Sequence, residues 1–102
     1  MTNVPGQALY LLNDSLVHEQ SRRFALRVLA DAADDSGRVQ RAYELALARP
    51  ADSDEIEAAL GFLTAARGRL SSTDCSVEQC EAQSWQALVR VILRLNEFVY
   101  LD

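Results

Sequence analysis

Two cysteines five positions apart are the residues best placed for redox chemistry. Ser76 and Gln79 between them have the spacing of a capping box, a pair of reciprocal side-chain-to-backbone bonds at a helix start. Cys75 and Cys80 then take the two positions that touch in a hydrophobic staple, which lies within disulfide reach. We predict a local disulfide that adds little stability, because its loop is short. The alternative is two free thiols that pack as small hydrophobic side chains.

His18, Glu19 and Arg22 form the second group with chemical potential. A lone histidine at the edge of an apolar stripe is more often a half-buried packing residue than a catalytic base. The sequence has no second histidine at metal-binding spacing, no Cys-x-x-Cys-His haem motif and no glycine-rich phosphate loop. We therefore assign no catalytic, cofactor-binding or metal-binding residue. The three side chains are weak candidates for a site that other sequence would complete.

One asparagine interrupts an apolar stripe near the end of the chain. Asn96 lies between Ile92 and Val99, where an apolar residue is expected. A buried amide without a hydrogen bond costs roughly 1–3 kcal/mol, so we predict that Asn96 bonds the backbone of a neighbouring helix end near Asn13. The alternative is a frayed last turn in which this amide is solvated.

Composition restricts the class of protein that positions these side chains. The chain has 102 residues, 49% of them hydrophobic, and a net charge of −5. This length suits a single domain over residues 1–102. The acidity argues against nucleic acid and anionic membranes as partners. No stretch reaches the roughly 18 apolar residues of a membrane span, and residues 1–5 lack the pattern of a signal peptide.

Apolar residues recur every three or four positions, which predicts an all-α fold. We expect an irregular antiparallel bundle of four to five helices. A short helix is predicted over 7–12, longer ones over 16–33 and 38–48, a fourth after the capping box of Asp52 and Glu55, and the last over 77–99. Residues 67–74 are predicted to form the loosest loop. The predicted inner faces are Val17, Phe24, Ala25, Val28, Leu29 and Ala32; Val39, Ala42, Tyr43, Ala46 and Leu47; Ile56, Ala59, Leu60, Leu63 and Leu70; and Trp85, Leu88, Val89, Ile92, Leu95, Asn96 and Val99.

Four short segments match, in order, motifs of one protein family. They are Gln-Ala-Leu-Tyr-Leu-Leu-Asn at 7–13, Tyr43 followed by Leu-Ala-Arg-Pro at 47–50, Asp-Glu at 54–55, and Trp85 with Asn-Glu-Phe-Val-Tyr at 96–100. Together they resemble the C-terminal part of the planctomycete PSD-one domain, a domain of unknown function. Ala48 departs from the glycine usual in this family, which predicts a helix end without the left-handed cap. Ala51 replaces a second proline.

The resemblance implies a parent protein and a cellular location, but no catalytic activity. Such domains end exported proteins that also carry cytochrome c-like modules, so the chain would be the C-terminal segment of a larger periplasmic, cell-envelope or extracellular protein. An oxidising compartment would permit the disulfide. The family brings no catalytic residue and implies no haem or other cofactor for this segment.

We therefore expect a non-catalytic structural or protein-interaction module. Its partner would be the rest of the parent protein or a second copy, and an apolar patch near Val4, Leu9 and Leu12 would favour self-association. Two alternatives stay open at this point. One is a helical bundle that binds a small ligand or haem, and the other is a contribution of His18, Glu19 and Arg22 to an active site completed by upstream sequence.

Overall fold

Four helices account for the part of the chain that the structure describes. The computed structural model describes the backbone of residues 15–101 and the side chains of residues 18–95. The helices are α1 (Ser15–Asp31), α2 (Asp35–Leu47), α3 (Ser53–Leu70) and α4 (Val77–Leu101), and residues 15–101 contain no strand. The all-α class is confirmed. The fifth helix and the antiparallel arrangement stay predictions, and the helix predicted over 7–12 lies outside the described residues.

Polar side chains at the joints fix where three of the helices begin. The Asp34 carboxylate accepts a 2.9 Å bond from the Gly37 N–H at the start of α2. The predicted capping boxes are both present: Asp52 and Glu55 open α3, and Ser76 and Gln79 open α4 through two 3.1 Å bonds. These bonds satisfy backbone donors that have no partner inside the helix. Local sequence is therefore enough to place the helix starts.

The end of α2 differs from the prediction at one residue. Ala48 has φ 58° and ψ 31°, and its N–H bonds the carbonyl of Glu44. The left-handed cap expected to be absent is therefore present, although alanine pays a steric penalty in this conformation that glycine avoids. The surroundings force this geometry, because the Gln40 side chain bonds both the N–H and the carbonyl of Ala51 just beyond the turn.

The core forms around the middle of α4. Trp85 and Val89 are fully buried, and Leu88 and Ile92 are nearly so. The other three helices and the turn after α2 contribute the rest of this cluster, which is Ala25, Val28, Val39, Ala42, Tyr43, Ala59 and Leu63 from the helices and Ala51 from the turn. The predicted inner faces are confirmed for the described side chains, which are buried or half-buried, whereas Val17, Asn96 and Val99 lie outside that part. Leu95 is the exception, since 39% of it is exposed.

An arginine in the predicted loop turns out to link three helices. Arg67 lies inside α3 and donates two bonds of 2.9 and 3.0 Å to Asp35 at the start of α2. It also bonds both oxygens of Glu81 on α4, one of them at 2.9 Å. Glu81 in turn accepts the indole N–H of Trp85 at 3.1 Å. The prediction of a loop over residues 67–74 is wrong for residues 67–70, which belong to α3, and is confirmed for 71–74, which lie between α3 and α4.

Candidate functional site

An apolar groove lies between α2, α3 and α4. It has a volume of about 280 Å³. We call it the apolar groove, and its lining residues are Tyr43, Glu55, Ala58, Ala59, Phe62, Leu88, Val91, Ile92 and Leu95. Val91 and Leu95 stand one helical turn apart on α4 and are 41% and 39% exposed. Because they adjoin the apolar lining of the groove, they form with it a continuous apolar surface that another apolar surface could contact.

An ion pair lies at one end of the apolar groove. Arg49 bonds both oxygens of Glu55 at 2.8 Å, and its guanidinium lies 5.6 Å from the centre of the Tyr43 ring. The bonds from Arg49, and then the backbone N–H of Asp52, lower the pKa of Glu55 to about 2. Glu55 therefore stays ionised and engaged, and is a poor candidate for a general acid or base at neutral pH.

His18 lines a second, polar pocket on the opposite flank of α4. The pocket has a volume of about 310 Å³, and we call it the His18 pocket; its other lining residues are Gln83, Gln86, Ala87 and Arg90. The Gln86 amide donates a 3.0 Å bond to the carbonyl of His18 and lies 3.4 Å from its Nδ1. His18 is exposed rather than half-buried.

Glu19 and Arg22 do not join His18 in this pocket. Arg22 bonds both oxygens of Glu19, at 3.0 and 2.6 Å, and Arg23 adds a bond of 3.0 Å. These bonds, that of Arg22 first, lower the pKa of Glu19 to about 2. Neither Glu19 nor Arg22 lines the pocket. The structure therefore separates the three weak candidates into a pocket residue and a surface ion pair.

The cysteine pair has the geometry that the capping box predicts. Cys75 and Cys80 are joined as a disulfide, with Cα atoms 5.6 Å apart, at the start of α4. Both side chains are half-buried. A mass measurement is the test of this disulfide.

Several predicted features lie outside the described residues. These are Asn13, the side chain of Asn96, and the patch near Val4, Leu9 and Leu12. Across the described part, no three His, Cys, Asp or Glu side chains are grouped closely enough to hold a metal. Over the same part, no helix combines the length and apolar character needed to cross a bilayer.

The polar pocket has only a partial signal in the sequence. Gln83, Gln86, Ala87 and Arg90 follow the i, i+3, i+4, i+7 pattern of one helix face, but such a polar face by itself indicates only solvated surface. Only His18, which comes from a different helix, turns that face into a pocket. This long-range contact is the part that sequence spacing alone does not reveal.

A family model agrees with the resemblance seen in the motifs. The model of PSD1, protein of unknown function (DUF1553), matches residues 1–63. The chain belongs to this family. The PSD1 match covers α1, α2 and α3 as far as Leu63, whereas the motifs at Trp85 and at residues 96–100 lie beyond it. No curated protein and no solved structure matches the chain.

Proposed function

We propose that the chain is a non-catalytic protein-interaction module that docks through the apolar groove. The observation that carries this proposal is the exposure of Val91 and Leu95 beside a groove with an apolar floor. The ionisable side chains around it support a binding role, because Glu55 and Arg49 are already paired with each other. Such a surface suits a complementary helix or apolar loop.

A second copy of the chain is the partner that the groove fits most directly. Val91 and Leu95 form a ridge, and the groove that they border continues to Phe62. A two-fold arrangement would place the ridge of each copy in the groove of the other, which is the self-complementary contact of a symmetric dimer. The groove is lined by nine residues, whereas each side of a standard interface has roughly 20–30. We therefore expect weak association, which a larger parent protein would strengthen.

Light scattering on the purified chain tests this proposal. The wild type should show a mass that rises with concentration. Val91→Glu should remain a monomer, because it buries a charge in the contact. The matched control is Leu26→Glu on α1, where the wild-type leucine is 45% exposed but does not line the groove. This control should associate as the wild type does.

Two results would contradict self-association. One is a wild type that stays monomeric at about 1 mM, where even a contact of −4 kcal/mol is half occupied. The other is an equal loss of association in Val91→Glu and Leu26→Glu. In either case the rest of the parent protein becomes the partner to test, using the same two variants.

We further propose that the chain is the C-terminal segment of a larger exported protein. The support is the resemblance of its motifs to domains that end such proteins, together with the disulfide geometry, which suits an oxidising compartment. Gene context is the test: an open reading frame that continues upstream of Met1 should encode an export signal and the rest of the PSD1 protein.

The two alternative functions have unequal support. The His18 pocket favours small-ligand binding, and its volume of about 310 Å³ suits a small molecule better than a macrocycle such as haem. A contribution of His18, Glu19 and Arg22 to one active site has no support in the geometry, because the last two are paired away from the pocket.

A further inference from the structure

The His18 pocket combines hydrogen-bond donors with a positive charge and contains no carboxylate among its lining residues. Gln83 and Arg90 make no hydrogen bond or ion pair with any part of the chain that the structure describes. The amide nitrogen of Gln86 lies 3.4 Å from Nδ1 of His18, which favours Nδ1 as the acceptor and leaves the proton on Nε2. Three side chains of the pocket therefore have donors to offer.

Arg90 stands out among the arginines of the chain. Within the described residues, most of the others bond carboxylates, and Arg38 bonds two backbone carbonyls. Those paired with carboxylates are Arg22, Arg23, Arg27, Arg41, Arg49 and Arg67. Arg69 and Arg94 also have no partner among the described residues, but both are exposed, whereas Arg90 is half-buried. A half-buried guanidinium with no counter-ion among the described side chains, in a chain of net charge −5, lies where an anion would be stabilised.

We propose that the His18 pocket binds a small oxoanion, a carboxylate or phosphate group, held mainly by Arg90. The guanidinium fork matches both groups, because it offers parallel N–H donors. Gln83 adds amide donors and His18 adds Nε2–H. This proposal does not depend on self-association through the apolar groove, since the two surfaces share no lining residue.

NMR titration of the ¹⁵N-labelled chain tests the site directly. Sodium phosphate and sodium succinate are added separately, with sodium chloride at matched ionic strength as the reference. We expect saturable shifts of the Gln83 and Gln86 side-chain amides and of the Arg90 Nε–H for at least one of the two probes. The probe that binds more tightly identifies phosphate or carboxylate as the preferred group.

Three variants separate this site from general charge effects. Arg90→Gln should weaken binding by about tenfold or more, and Arg94→Gln, which removes an exposed arginine outside the pocket, should change it less than about twofold. Gln83→Ala serves as the second test because its side chain is exposed and its loss should leave the fold intact. It should weaken binding by about threefold. Circular dichroism verifies that each variant remains helical.

The proposal is overturned by either of two results. In one, chloride produces the same shifts as phosphate and succinate, or no probe gives saturation. In the other, Arg94→Gln weakens binding as much as Arg90→Gln while both variants remain folded.

Discussion

Replacing Ala48 with glycine should stabilise the protein, although it removes a methyl group. Ala48 is held at φ 58° and ψ 31°, in the left-handed region that costs an L-residue roughly 1–2 kcal/mol. Glycine avoids that cost but loses about 0.4–1 kcal/mol more chain entropy on folding. The side chain is exposed, so little packing is lost. The net gain should be about 0.5–1 kcal/mol, which raises the melting temperature by about 3–6 °C in a domain of this size.

The assay is urea unfolding followed by circular dichroism, with Ala65→Gly as the matched control. Ala65 is also exposed but lies inside α3, where glycine should cost about 1 kcal/mol. The two substitutions are chemically identical, and only the backbone conformation differs. If Ala48→Gly lowers the unfolding midpoint as Ala65→Gly does, the assignment of a left-handed cap at residue 48 is refuted.

Three further predictions concern the ionic and covalent links. Arg67→Met should lower the free energy of unfolding by about 1–3 kcal/mol, because it leaves two partly buried carboxylates without their cation; an unchanged urea midpoint would contradict this. The ion pair with Arg49 lowers the pKa of Glu55 from 4.5 to about 2. The contribution of this pair to the free energy of unfolding is therefore complete above pH 4.5 and is lost as the pH falls towards 2. The stability difference between wild type and Glu55→Gln, measured by urea unfolding, should shrink over that range, and a constant difference would exclude the pair as its source. The oxidised chain should weigh 2 Da less than the reduced chain if Cys75 and Cys80 are bonded, and reduction should cost no more than about 2 kcal/mol; two thiols that react with alkylating reagent in the oxidised protein would disprove the bond.

Sequence periodicity was sufficient for the helices and the core. Trp85 and Val89 are fully buried, as the spacing of apolar residues on α4 predicts. The capping boxes were found because their residues are three positions apart, so the interaction is local. Local signals of this kind need no knowledge of how the helices pack.

The errors arise where contacts join residues far apart in the chain. Residues 67–74 are polar and small, which predicts a loop, whereas the partners that hold Arg67 in place, Asp35 and Glu81, are 32 and 14 positions away. Leu95 was placed inside because the stripe on α4 continues past the point where neighbouring helices cover it. Ala48 was expected to avoid the left-handed region because the tertiary bonds of Gln40 beyond the turn are not visible in a local pattern.

Helix α4 lines both proposed surfaces, but it does so with different residues. The two proposals can therefore be tested separately. Arg90 and Val91 are adjacent in sequence, but a helix turns 100° per residue, so they line different pockets on the two sides of the buried strip around Val89. Val91→Glu should therefore abolish self-association and leave the oxoanion titration unchanged, while Arg90→Gln should do the reverse. If each substitution impaired both functions, local unfolding of α4 would be the simpler cause, and its detection by circular dichroism would remove the support for two independent surfaces.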